Sequence, residues 1–576
     1  MKPVRLPAAA TNALPRWVLF SLCMMYILPG LIRRDPWKNE DASGFGIMWT
    51  MAHGGLNDWL WPHIVGLPMP DKGPLAFWIG AICIKLFGGL LGDTLAARVA
   101  TIVFFLLGCL AVWYTTYLLG RRAEAQPLRL AFGGQPEPRD YGRTLADGAL
   151  LIYLGCLGLL PQSHTTTAEA LQVALVATSM YASARLFESR SLRAAAMLGL
   201  VFGLLILTRG WAVPLALWLS ALTLSAAHGR PALSMRLLTL TLPVAVLTAS
   251  VWPIACHFAR PFGSSPYDAW MLWNYRQFGL PSSDSLVYLV KNGIWFTWPA
   301  WPFAGWAVYA WRRQYNALHV TLPLALFVAV MLLALINPHS EEGILLPLLP
   351  PLAILAAFGL PTMKRGAINA VDWFSVMTLT ACAAFIWVGW IAKQTGWPAQ
   401  IAKNAFKLAP GFKPEFNLIA FLIATCATIG WFVVVHWRIS RRPSVLWRAV
   451  VLSSGGVILC WSLLMTLWLP WGNYMRSYAG VARQIAQNLP PVQSCVESNV
   501  GPAQRASFAY FGQVPFARND DAHCDFLLTQ DNNRGKEDAK VIQRFNDQWK
   551  LLWEGRRPSD RDERYRLYQR IKNPSR

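Results

Sequence analysis

Runs of about 20 apolar residues recur along this chain, the length of helix needed to cross the hydrocarbon of a bilayer. They fall near 17–33, 94–119, 145–160, 167–184, 194–208, 211–227, 237–257, 293–310, 318–336, 343–360, 373–392, 416–435 and 449–469. Little chain is left for anything else before residue 470. With 55% hydrophobic residues, 14% charged residues and a mean hydropathy of +0.34, a soluble core is excluded. The sequence predicts a polytopic α-helical membrane protein with about thirteen spans.

Basic residues orient such a protein, because Lys and Arg collect on cytoplasmic loops. With a cytoplasmic N-terminus (Lys2, Arg5, Arg16), alternate loops carry Arg121, Arg122, Arg129, Arg139 and Arg143, then Arg185, Arg190 and Arg193, then Arg230 and Arg236. Arg312, Arg313, Lys364, Arg365, Arg438, Arg441, Arg442 and Arg448 continue the alternation. It holds only if the apolar segment 75–91, broken by Gly80, Gly88 and Gly89, lies at the interface as a helix that does not cross. The lysines of 393–415, on a loop predicted outside, leave two readings: an amphipathic helix against anionic headgroups, which is favoured, or a miscounted span in that region. The net charge of +22 is then orientation and lipid contact, with no nucleic-acid partner. The first run lacks a cleavage site and reads as an uncleaved anchor.

The chain divides into a membrane domain, 1–470, whose first external loop is 34–93, and an external domain, 471–576. In the latter, helix-like 478–489 and 503–511 alternate with strand-like 494–500 and 525–530; a further helix leads to Trp549–Trp553, and 565–571 is placed to pair as a last strand. This predicts a small α/β domain without a nucleotide-binding fingerprint. Cys495 and Cys524 lie in it, where an oxidising compartment permits a disulfide.

The charged groups at the external rim carry the candidate chemistry. The first loop reads Asp35-Pro36-Trp37-Lys38-Asn39-Glu40-Asp41-Ala42, then Asp71-Lys72-Gly73-Pro74-Leu75. Carboxylates and lysines so close to hydrocarbon are costly unless paired, hydrated or used. The same rim holds His164-Thr165-Thr166-Thr167, Glu169, Thr208-Arg209-Gly210, the loop 258–292 and Asn337-Pro338-His339-Ser340-Glu341-Glu342. A carboxylate beside an acceptor hydroxyl can act as a general base, and a cation can stabilise a departing phosphate. Tyr267, Trp270, Asn274 and Arg276 offer rings and hydrogen bonds to a sugar, or an aromatic interface belt. His164 and His339, near carboxylates, leave room for a divalent metal.

These motifs, in this order, resemble the lipid-linked-sugar glycosyltransferases of the GT-C fold. Among them is the bacterial aminoarabinose transferase and protein O-mannosyltransferase group (glycosyltransferase family 39-like). Glu40-Asp41 stands at the family's acidic pair with the order inverted, and Asn57-Asp58-Trp59 at its G-D-W step. Asp71-Lys72-Gly73-Pro74-Leu75 stands at its Glu-Lys-Pro-Pro-Leu motif, followed by Arg98. Leu207-Thr208-Arg209-Gly210 matches its T-K-G turn and Leu346–Ala353 its L-P-x-x-P-P-L-A helix. Glu169 occupies the place of a second Asp, and the acidic 341–342 pair replaces a basic or tyrosine residue near the lipid phosphate.

The resemblance implies an inverting glycosyltransferase (EC 2.4 type) of the bacterial inner membrane with a periplasmic C-terminal domain. It would use a polyprenyl-phosphate sugar donor, undecaprenyl phosphate being the carrier. The acceptor would be a lipid, glycan or protein, as in lipid A or cell-envelope glycan modification. Glu40, then Asp41, are the expected bases, with Glu169 supporting. Lys72, Arg209 and Arg276 are the expected phosphate contacts, and Asp71, His164 and His339 the expected supports of substrate or metal. Two rival readings remain: a transporter or flippase of an amphiphile, for which the halves show no internal repeat, and an inactive scaffold.

Overall fold

The computed structural model describes residues 4–129, 134–259, 266–339, 341–441, 445–490, 495–518, 524–532, 549–560 and 562–571. Each apolar run lies on helix. Eight helices among the described residues are long and apolar enough to cross a membrane: Asp93–Gly120, Ala168–Ser189, Pro231–Ala259, Leu318–Ile336, Glu342–Thr362, Arg365–Thr395, Leu418–Ser440 and Val450–Leu467. Arg16–Ile27, Leu75–Leu91, Leu192–Thr208 and Ala212–Ala227 are shorter apolar helices. The run 293–310 is not one helix. It divides into Ser283–Phe296 and Ala300–Trp311, because Pro299 biases the residue before it away from helical backbone.

The Asp93–Gly120 helix is central, packing against Leu75–Leu91, Pro138–Gly155 and Ala168–Ser189. Its Ala96, Ala97 and Ala100 and the facing helix's Ala170, Ala174 and Ala177 are buried, small residues that let helices approach closely. Arg365–Thr395 and Leu418–Ser440 are mostly unburied over their apolar stretches, exposing Trp373, Phe385, Ile419 and Val433. Such bare apolar faces are what a helix turned to lipid presents.

The loops segregate to two ends. Arg121 pairs with Glu188 at 2.8 Å, the Leu318 N–H donates to Glu124 at 2.9 Å, and Leu446 donates to the Ala10 carbonyl at 3.1 Å. The basic loops therefore meet at one end of the bundle. Leu75–Leu91 begins beside Gly73, which abuts the Leu207 carbonyl so closely that a Cβ there would collide with it. It ends at Gly92, whose φ of +77° turns the chain straight into the helix starting at Asp93. Both its ends therefore stand at the opposite end of the bundle.

In the loop 393–415, Ala399–Leu408 is an amphipathic helix with Ala402 and Ala405 inward and Lys403 and Lys407 exposed. Lys393 departs from the headgroup expectation. It is buried, donating to the Leu467 carbonyl at 3.2 Å beneath the Trp468 ring, because it sits on the inward face of its helix.

The C-terminal region forms a four-stranded sheet in the order Val496–Ser498, Phe526–Asn532, Glu563–Arg570, Trp549–Gly555. The first pair is parallel and the others antiparallel. The Ala479–Asn488 and Pro502–Gly512 helices cover it, and Cys495 and Cys524 are joined as a disulfide with Cα atoms 5.0 Å apart. The helix expected before Trp549 falls outside the described residues. This domain docks on the Glu40–His53 helix. Ala42 belongs to its apolar cluster, Gly46 meets Ala506, and Arg505 donates to the Val65 carbonyl at 2.7 Å.

Candidate active site

Glu40 and Asp41 open the Glu40–His53 helix but turn to different surroundings, since neighbours on a helix point about 100° apart. Asp41 is 3% exposed. Its Oδ2 accepts from Arg34 Nη2 at 2.7 Å and the Trp37 N–H at 3.1 Å, with Arg98 Nη2 at 3.6 Å. Its Oδ1 accepts from the Thr166 N–H at 2.9 Å and Thr166 Oγ1 at 3.1 Å. Burial alone would raise its pKa; Arg34 and Arg98 outweigh burial and hold it below the usual carboxylate range. Every acceptor position of Asp41 is occupied by a structural donor. It pins the first loop to the 163–167 turn, which corrects its ranking as an alternative base.

Glu40 faces out, its side chain 62% exposed, and its Oε2 accepts from Lys72 Nζ at 2.9 Å. Lys72 is buried and also meets Asp71 at 3.1 Å and Glu169 at 3.7 Å. Burial would lower the Lys72 pKa; Glu169, Asp71 and Glu40 overcome it and raise it, so the ammonium stays charged. Arg209 extends the chain of charges, with Nη1 on Glu169 at 2.9 Å and Nη2 on Glu341 at 2.9 Å. Its guanidinium is held charged by Glu169 and Glu341 against the cost of burial. Two cations thus serve four carboxylates (Glu40, Asp71, Glu169, Glu341).

Backbone contact sets this geometry. The Gly73 backbone abuts Leu207–Thr208, so the turn bearing Lys72 and the turn bearing Arg209 share one position. Gly343 leaves the space where the Arg209 guanidinium meets Glu169. A cavity of about 840 Å³ opens over the group, lined by Trp37, Glu40, Glu169, Tyr288, Glu341 and Trp468 among others. Glu169 is 5% exposed, lines this cavity, and leaves its Oε2 without a hydrogen-bond partner among the described residues. Both cations meet the other oxygen, Oε1, and a buried carboxylate oxygen left unbonded can accept from a ligand.

Other expected site residues lie elsewhere. His164 is fully buried, its Nδ1 donating to the Leu160 carbonyl at 2.6 Å and its Nε2 accepting from the Trp461 indole at 3.0 Å. Burial drives its pKa down to about 3. With both ring nitrogens used it is a packing residue, which corrects its place as a metal or substrate support. His339 is exposed on a bend and Arg276 is exposed, and neither lines the cavity. Among the described residues no three His, Cys, Asp or Glu side chains gather as a metal-ligand group; the carboxylates are spaced by cations instead.

The sequence reading passed over Arg34, Thr166 and the pairing of Glu341. Arg33-Arg34 at the outer end of the first run runs against the positive-inside bias, and that anomaly was the available signal. Glu341, read as an acidic replacement near the phosphate, is a partner of Arg209.

No protein-family model matches the chain. Undecaprenyl phosphate-alpha-4-amino-4-deoxy-L-arabinose arabinosyl transferase 1 of Pseudomonas fluorescens is 26% identical over 476 residues, 77% of this chain and 73% of that protein. ArnT of Cupriavidus metallidurans superimposes with a TM-score of 0.66 when bound to undecaprenyl phosphate, at 15% identity over 96% of this chain and 97% of that one. Its apo state gives 0.64 at 16% identity over the same shares. Agreement that runs the length of both chains, at identities this low, speaks to architecture: the chain has the GT-C fold that its sequence motifs implied.

Proposed function

We propose that this protein transfers a sugar from an undecaprenyl-phosphate-linked donor to a lipid, glycan or protein acceptor at the periplasmic face of the bacterial inner membrane. The observation that carries the reading is the buried Lys72–Glu169–Arg209 chain with exposed Glu40 at its edge, beneath a cavity large enough for a sugar and its phosphate. The likeness in fold to a protein that binds undecaprenyl phosphate supports the donor class. The meeting of the basic loops at the far end supports a cytoplasmic N-terminus and a periplasmic tail.

Glu40 takes the proton of the acceptor hydroxyl as its oxygen attacks the anomeric carbon. The bond from that carbon to the phosphate oxygen breaks, and undecaprenyl phosphate leaves with the electron pair. Lys72 and Arg209 stabilise the charge on the leaving phosphate, where fixed cations in a dry site act most strongly. A single displacement inverts the anomeric centre. The cluster holds more carboxylates than cations, which favours a donor sugar carrying an ammonium group, as the name of the Pseudomonas relative indicates for its own substrate. Glu169 Oε2 is placed to accept from that group.

The test is transfer in vitro with a panel of undecaprenyl-phosphate sugars, amino and neutral, comparing wild type with Glu40→Gln. Loss of turnover on a fold that melts like wild type is expected. Full activity in Glu40→Gln sinks the base assignment, and preference for neutral sugars sinks the charge argument.

A further inference from the structure

A second cavity, of about 40 Å³, lies beside the first, and Gly343 lines both. Its walls are largely apolar, from Val213, Val330, Leu333 and Pro347, with Arg209 and four side-chain amides. Three of those amides are bonded within the protein. Asn274 accepts from the Trp211 N–H at 3.0 Å and donates to the Trp270 carbonyl at 2.9 Å. Asn337 donates to Gln277 at 2.5 Å and accepts from the His339 N–H at 2.8 Å. The fourth is Gln172, 3% exposed, whose Oε1 has no partner among the described residues. Gln172 follows Glu169 by three positions and shares its helix face, about 5 Å further along the axis.

A buried amide is costly to leave unbonded, and the usual reason for one at a cavity wall is an absent ligand or water. We propose that Gln172 is a specificity-determining residue for the donor, its amide accepting a hydrogen bond from one hydroxyl of the transferred sugar seated in this pocket. The proposal rests on the donor reading above. Two features select a neutral hydroxyl over a phosphate. Gln172 Oε1 is an acceptor, to which a hydroxyl can donate and an ionised phosphate oxygen cannot; and apart from Arg209, whose outer nitrogens meet Glu169 and Glu341, the walls are apolar or internally bonded.

The experiment measures kcat/KM for wild type, Gln172→Met and Gln172→Glu with the donor that wild type uses and with its monodeoxy analogues. Binding of undecaprenyl phosphate alone is measured alongside. Wild type is expected to lose roughly tenfold to a hundredfold on one deoxy donor, the scale of one lost hydrogen bond to a buried partner. Gln172→Met should lose as much on the parent donor and nothing more on that deoxy donor, with undecaprenyl phosphate bound as before. Gln172→Glu, which keeps an acceptor at the same reach, should still select against that deoxy donor, and it covers the case in which the Met variant fails to fold.

Unchanged activity of Gln172→Met on the parent donor overturns the proposal. So does an equal loss on every donor, or weakened binding of undecaprenyl phosphate, which would assign Gln172 to the phosphate. Absence of transfer by wild type from any donor instead overturns the donor reading itself.

Discussion

Replacing Asp41 by Asn removes one charge from the most enclosed ionic group among the described residues while keeping its shape. The Arg34 contact at 2.7 Å and the Arg98 contact at 3.6 Å are worth about 6 and about 5 kcal/mol of gross attraction at an effective dielectric of 20. Desolvation of the three ions offsets much of that. Removing one member of a buried pair therefore costs about 3–5 kcal/mol net, because the arginines stay buried without their counter-ion. Asn can still accept from Thr166, but its NH₂ would face the Arg34 guanidinium, donor against donor.

Heating the detergent-solubilised protein and following tryptophan fluorescence should show a melting temperature lower by on the order of 5–10 °C. The pH dependence has a definite sign. Because the folded pKa of Asp41 is depressed, its stabilisation is complete above the ordinary value of about 4 and is lost only as pH falls through the lower folded value. Wild type should show that acid step and Asp41→Asn should not. If Asp41→Asn melts and titrates like wild type, the latch is wrong. If it also loses all transfer activity, Asp41 is the base.

Arg209→Lys should lower kcat/KM at least tenfold, because one ammonium cannot reach both Glu169 and Glu341 as the planar guanidinium does; donor-dependent transfer checks it. Gly73→Ala forces a Cβ into the Leu207 carbonyl and should cost about 1–3 kcal/mol, as overpacking does, with activity falling as Lys72 shifts; melting and turnover read the two effects. Gly343→Ala drives a Cβ into the buried Arg209 guanidinium and against Glu169 and should lower both turnover and melting temperature, because displacing that guanidinium breaks buried ion pairs. Replacing Cys495 and Cys524 together by Ser opens a cross-link between residues 29 apart. Chain entropy puts that loss at about 4 kcal/mol, visible as faster proteolysis of the C-terminal domain.

The membrane class, the positions of the helices, the alternation of helix and strand after residue 476 and the acidic and Lys-Gly motifs were all legible in the chain. Each is written in composition, periodicity or short spacing, and so is local. The break at 297–299 was announced by Pro299, yet the apolar run hid it, because hydropathy does not register a change of direction.

What only the tertiary structure decided was which neighbour serves which purpose. Glu40 and Asp41 are adjacent and alike in sequence. Asp41 is spent on Thr166, 125 positions away, while Glu40 is left at the cavity edge beside Lys72. Arg209 finds Glu341 across 132 positions, and His164 is taken by Trp461 across 297. The sequence by itself determined which groups are ionisable and at which end of the bundle they gather. Whether such a group is saturated or open depends on partners brought together by packing, and no local pattern encodes a distance between residues so far apart.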